Sequence, residues 1–256
     1  MFDKMQIDFT GKVAIVTGGA RDIGRGICLK LAESGAAVVV NFFQSEGAAD
    51  ETVGLIEEMG GRAVAVKADV TQRSDAGHLV DSARDAFGED IHILVNNAGG
   101  IIGRKSFAEI DDLFWDRVMD LNLRSVLNVT QAALPYIPDG GAIVNNSSLA
   151  ARNGGGPGAL AYATSKGAIM TFTRGLAKEL GPRNIRVNCV APGLIGTTFH
   201  DMFTVDDARR RTAAATPLRR EGTSDEIGAA VAYLASDAAS FITGASLEIN
   251  GGLYFS

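Results

Sequence analysis

The chain has 256 residues, 46% of them hydrophobic and 21% charged, with a formal net charge of −6. That length suits one large α/β domain with a substantial core, and the acidic balance excludes a broad basic surface for nucleic acid. No stretch reaches the ~20 apolar residues of a membrane span, and Cys28, Cys189, His78, His92 and His200 are too scattered for a metal centre or a disulfide framework.

In chain order, residues 13–17 predict a strand and 24–34 a helix. Residues 37–40 then read as a strand, 46–59 as a helix, 63–67 as a strand, 74–87 as a helix and 93–96 as a strand. Residues 107–136 form one long helical stretch. A strand at 142–146, a helix at 159–180 and a strand at 186–191 follow, and a helix at 224–235 precedes a last strand at 246–249. The strands are mostly continuous apolar runs, as when helices cover both faces of a parallel sheet. Strict β–α alternation implies an α/β fold: a doubly wound, Rossmann-type sheet of seven mostly parallel strands with helices on both faces. Residues 1–256 read as a single dinucleotide-binding domain. Residues 193–222 are the least regular segment, either a substrate lid or a surface excursion with its own short helix.

The stretch TGGARDIGRG, residues 17–26, falls where the first strand meets the first helix. There Gly18, Gly24 and Gly26 let the backbone approach a pyrophosphate, and the helix N-terminus offers free N–H groups. Asp22 interrupts the glycines. Aspartate tolerates left-handed backbone and caps helices, so its carboxylate is expected to turn back onto the start of its own helix. Tyr162 and Lys166 are four apart, on one helical face. An ammonium beside a phenol favours the phenolate, which tunes it for acid–base exchange with an alcohol or carbonyl. Ser148 follows the strand AIVNN, at the carboxyl end where open α/β sheets bind ligands. Ser147 competes with it.

TGxxxxIGxG, NNAG at 96–99, Ser148, YATSK at 162–166 and PG at 192–193 together resemble the short-chain dehydrogenase/reductase family, in order and over nearly the whole chain. Asp22 departs from the family's usual middle glycine, and Ala151 from a frequent glycine. The resemblance implies Asn122, Ser148, Tyr162 and Lys166 as the catalytic set, with Asn122 positioning a water beside Lys166. It implies dinucleotide contacts from Gly18, Ile23, Gly24, Asp69, Val70, Asn97, Gly99, Pro192, Gly193 and Thr197, and from Tyr162 and Lys166 at the nicotinamide ribose. At the end of the second strand Asn41 stands where an acid would repel a 2′-phosphate, while Arg21 and Ser45 can reach that phosphate. NADP(H) is therefore the expected cofactor, with NAD(H) as the alternative and Arg21 also readable as a solvated charge beside Asp22.

Arg104, Lys105, Arg152 and His200 would surround a small site with positive charge. IIGRKS, GGGPGA and the FH after PG resemble bacterial reductases of 4-deoxy-L-erythro-5-hexoseulose uronate, an α-keto acid. The broad motifs equally resemble 3-oxoacyl-carrier-protein reductases and sugar dehydrogenases, and a nonenzymatic dinucleotide-binding regulator is the alternative of another class. The family resemblance implies a homotetramer or homodimer acting on a small carbonyl or alcohol, and the composition implies a cytoplasmic protein without metal, nucleic acid or membrane.

Overall fold

A computed structural model describes residues 7–198 and 206–255. Seven strands run β1 Val13–Val16, β2 Ala37–Phe42, β3 Arg62–Lys67, β4 Ile93–Asn96, β5 Ala142–Asn146, β6 Arg186–Pro192 and β7 Ser246–Ile249. Their order in the sheet is β3-β2-β1-β4-β5-β6-β7, and each of the six pairings is parallel. The sheet is thus wholly rather than mostly parallel.

Continuous apolar strands arise because alternate residues feed two cores. Ala14 and Val16 of β1, with Val38, Val40 and Val95, pack under helices α1 (Asp22–Glu33) and α2 (Glu46–Glu58). Ile15, Val39, Leu94 and Ile143 point to the other face, under α3 (Arg73–Phe87) and more distal helices. β1 pairs β2 on one side and β4 on the other. Strand order therefore reverses at β1, and the crevice outside the carboxyl ends of β1 and β4 is where such sheets take ligands.

The expected long helix at 107–136 is instead five pieces. They are a 3₁₀ turn (Phe107–Glu109), α4 (Asp112–Met119), a π-helical turn (Asp120–Arg124), α5 (Ser125–Ala133) and a final 3₁₀ turn (Leu134–Tyr136). Asp111 starts α4 afresh, its Oδ1 accepting from Phe114 N at 2.7 Å as an N-cap does. A short α6 (Ala150–Asn153) follows β5 and ends on Gly154 in left-handed backbone, before the long α7 (Leu160–Leu180). The irregular segment carries α8 (Asp206–Ala215), and its base is closed by a parallel bridge between Ile195 and Gly222. Helix α9 (Ser224–Ala235) is started by a Thr223–Glu226 capping box.

Gly26 needs correction. A Cβ on it would lie 2.5 Å from Ser224 O, and one on Gly228 would lie 2.5 Å from Gly26 O. These glycines bring α1 and α9 into backbone contact, so the close approach that Gly26 allows is to a helix.

Candidate active site

The site is built at the carboxyl ends of β1, β4 and β5. Gly18 takes a φ of 61°, and its N–H donates to Asn41 Oδ1 at 3.1 Å. A Cβ on Gly24 would stand 2.0 Å from Gly18 O, so the loop folds over the helix start only with glycine there. Arg21, at the N-cap of α1, makes no capping bond with its side chain. First-turn N–H groups and the positive end of the helix thus face the loop, as an anionic pyrophosphate requires. The described residues fit a dinucleotide here: Gly18 and Gly24 carry no Cβ, and Gly99 leaves open a space beside Lys166.

Three readings of this loop change. Asp22 does adopt left-handed backbone, at φ 52°, yet it does not cap its own helix. Its carboxylate accepts from Thr198 N at 2.9 Å and Thr198 Oγ1 at 2.6 Å. A left-handed residue at the first helical position projects its side chain off the helix mouth, toward the neighbouring segment. Arg21 Nη1 donates to the same Thr198 hydroxyl at 2.8 Å and lies 3.8 Å from Asp22 Oδ2. Asn41 is no rim residue. β2 runs to Phe42, and Asn41 is buried, donating from Nδ2 to the carbonyls of Val66 and Ala68. It ties the loop to the sheet, leaving Ser45, partly exposed at the N-cap of α2, nearer the surface.

The ends of the strands are joined by amide side chains. Asn97 Nδ2 donates to the carbonyls of Thr17 and Gly18, and its Oδ1 accepts from Asn146 Nδ2 at 2.9 Å. Thr17 Oγ1 accepts from the N–H groups of Asn97 and Ala98. Asn145 accepts from Asn96 and donates to Thr173. Thr17, Asn145 and Asn146 were missed by sequence reasoning. The one available signal was four asparagines, 96, 97, 145 and 146, at two strand ends that pair in parallel, Asn96 beside Asn145.

The two serines separate by their partners. Ser147 is buried and donates to Lys166 O at 2.8 Å, which commits it to α7. Ser148 is half-buried and hydrogen bonded to Tyr162; its Oγ also accepts from Ala150 N. Lys166 is buried and donates from Nζ to Asn146 O at 2.8 Å, with Nζ 5.8 Å from the Tyr162 ring centre. Asn122 is fully buried within the π turn. Its Oδ1 accepts from Gly100 N at 2.9 Å and its Nδ2 donates to Gly100 O at 3.0 Å. The extra residue of the π turn swings this side chain onto the loop after β4. A Cβ on Gly99, whose φ is 157°, would be 2.7 Å from Asn122 Oδ1 and 3.0 Å from Lys166 Nζ, so the three residues converge on one space.

The expected acidity of the phenol is reversed. Burial raises Tyr162 above its ordinary value, and the Ser148 hydrogen bond opposes this only in part. Burial also draws Lys166 down to about 8. Desolvation penalises the phenolate and the ammonium alike.

After β3, Asp69 Oδ1 accepts from Thr71 N and Oγ1, and Val70 is buried beside it. Pro192 ends β6, its carbonyl accepting from Leu149 N. Gly193 packs where a Cβ would meet Asn250 at 2.8 Å. Thr197 is buried, its hydroxyl donating to Ile195 O. Ile23 is partly exposed on the first turn of α1.

The expected substrate cations have internal partners. Lys105 Nζ pairs with Asp111 Oδ2 at 2.7 Å, and Arg152 Nε with Glu248 Oε1 at 2.9 Å. Arg104 Nη1 donates to Pro157 O at 2.9 Å, and Lys105 N donates to Gly158 O, so the loops after β4 and α6 are zipped together. His200 lies outside the described residues.

A family model described as enoyl-(acyl carrier protein) reductase matches residues 18–254. A hydroxynaphthalene reductase-like protein of Metarhizium brunneum is 37% identical over 254 residues, covering 94% of this chain and 94% of its own length. A solved short-chain dehydrogenase/reductase of Serratia marcescens matches with a TM-score of 0.90 at 37% identity, covering 95% of this chain and 98% of its own. A blue fluorescent protein from a metagenomic library, solved in complex with NADPH, matches with a TM-score of 0.89 at 36% identity, covering 97% and 100%.

Proposed function

This chain belongs to the short-chain dehydrogenase/reductase family of oxidoreductases, and from that premise we propose that it reduces a small carbonyl compound to the alcohol with NADPH. The observation that carries the reading is the convergence of Lys166 and Asn122 on the space at Gly99, with the Tyr162 ring 5.8 Å from Lys166 Nζ and Ser148 beside it. When bound in the groove, the reduced nicotinamide supplies the hydride. Tyr162 keeps its proton because burial disfavours the phenolate, and passes that proton to the substrate oxygen as negative charge develops there. Ser148 Oγ donates to the same oxygen and stabilises that charge. Lys166 holds the nicotinamide ribose, and Asn122 fixes the loop that Gly99 and Gly100 form.

NADPH is favoured over NADH because no acid stands at the end of β2, where Asn41 and Phe42 are buried and Phe43 is exposed, with Ser45 and Arg21 nearby. Arg21 would have to leave Thr198 to reach a 2′-phosphate. The NADPH complex of the blue fluorescent relative supports the same choice. For the substrate we retain a sugar-derived α-keto acid such as 4-deoxy-L-erythro-5-hexoseulose uronate, with Arg104 the cation placed at the zipped loops. The hydroxynaphthalene reductase-like relative favours a second reading, a hydroxylated aromatic ketone. Exposed Phe107, Leu113, Leu247 and Phe255 support assembly as a homotetramer or homodimer. The reading is tested with NADPH deuterated at C4, offered with α-keto uronates, hydroxynaphthols, aldoses and acetoacetyl thioesters. The expected product is one mass unit heavier at the carbinol carbon. No deuterium transfer to any carbonyl overturns the reductase reading, and a clear preference for NADH overturns the phosphate reading.

A further inference from the structure

Asp22 occupies a backbone conformation that glycine adopts freely and aspartate adopts at a cost. Its φ is 52°, inside a loop already rich in glycine. Its carboxylate also sits at the first turn of α1, where negative charge competes with a pyrophosphate for the helix end. Both costs need an offsetting role, and the structure shows one. Both carboxylate oxygens are spent on a single residue across the groove, Thr198, through its N–H and its hydroxyl. Arg21 donates to that same hydroxyl, its Nη1 3.8 Å from Asp22 Oδ2. Thr198 is thereby held from two consecutive residues of the loop.

The place of Thr198 gives the contact its meaning. The excursion leaves the sheet after β6 and is pinned at its base, with Gly196 N donating to Gly222 O and Gly222 N to Leu194 O, both at 2.9 Å. The Arg209–Glu221 ion pair, at 2.6 Å, reinforces the returning limb. The outgoing limb has Asp22 as its second anchor. Between the two anchors lies Thr197, which is buried.

We propose that Asp22 is a positioning residue that latches the root of the excursion onto the glycine-rich loop, so that Thr197 stands in place beside the groove before a dinucleotide arrives. The latch rests on the dinucleotide reading for its purpose, though its existence does not. Binding of a dinucleotide then needs no ordering of residues 196–198, and affinity rises accordingly.

The test uses the full chain and two readouts. Hydrogen–deuterium exchange of the protein alone, followed at the Thr198 amide, is expected to be slow in the wild type and about tenfold faster in Asp22→Ala, since that amide loses its acceptor. KM for NADPH is expected to rise about fivefold in Asp22→Ala and in Thr198→Val, with kcat held within about twofold. The double variant should fall clearly short of the product of the two single effects, because both single changes remove the bond between the Thr198 hydroxyl and the Asp22 carboxylate. Asp22→Asn, which can still bond Thr198, should restore most of the wild-type KM. Unchanged exchange at Thr198, an unchanged KM, or effects that multiply in the double variant overturns the latch. If the wild type oxidises no NADPH with any carbonyl, the reductase reading fails, while the exchange measurement still decides the latch.

Discussion

Lys166 donates to the Asn146 carbonyl from a buried position, and among the described residues no carboxylate forms an ion pair with it. Its folded value of about 8 lies below the 10.5 of an exposed lysine, so the native state releases the proton first. Its contribution to stability is unfavourable below pH 8 and is relieved as pH rises from there toward 10.5. Lys166→Met should therefore be more stable than wild type at pH 7, by about 1–2 kcal/mol after the lost hydrogen bond is allowed for. That advantage should shrink toward pH 10; urea unfolding at the two pH values measures it. Reduction by the wild type should also decline as pH rises through about 8, where Lys166 loses its charge. The spacing of Tyr162 and Lys166 was legible in the sequence, since four residues fix a shared helical face. The sign of the tyrosine shift was not, because burial is a property of the assembled site. Nor could adjacent serines be told apart by spacing; Ser147 is excluded by its bond to the Lys166 carbonyl.

Elements show the same division. Periodicity located every strand and most helices, but a 3.6-residue pattern persists through a π turn, so 107–136 read as one helix. The turn at Asp120–Arg124 is what delivers Asn122 to Gly100. Asn122→Leu keeps the volume and loses both bonds to that loop. It should lower kcat about tenfold to a hundredfold with little change in secondary structure, as steady-state kinetics and circular dichroism would show. Glycines divide by what their absent Cβ would meet. Gly26→Ala drives a methyl into Ser224 O and should cost about 1–3 kcal/mol by overpacking, read by chemical denaturation, without altering the cofactor loop directly. Gly24→Ala meets Gly18 O itself and should abolish NADPH binding, read by titration of cofactor fluorescence. The sequence marked all these glycines alike because it carries no record of which helix lies opposite.

At the scale of the whole molecule, alternation of strand and helix sufficed for the doubly wound sheet, and the reversal of order at β1 places the crevice. What joins the crevice comes from far apart: Thr17, Asn97 and Asn146 stand at the ends of three strands, and their bonds span as many as 81 residues. Such a network depends on register, which single-chain patterns do not carry. Two of the expected substrate cations turn out to have internal partners for the same reason. Arg152 and Lys105 are bound to Glu248 and Asp111, acids that no motif linked to them. Among the described residues, no helix is long and apolar enough to cross a membrane.

Replacing the Tyr162 hydroxyl tests the account most directly. With NADPH and a carbonyl substrate that the wild type reduces, Tyr162→Phe should lose at least about a thousandfold in kcat/KM, while NADPH still binds within about threefold of wild type by fluorescence titration. A phenylalanine variant that turns over at the wild-type rate would contradict the account, because proton delivery would then come from some other group.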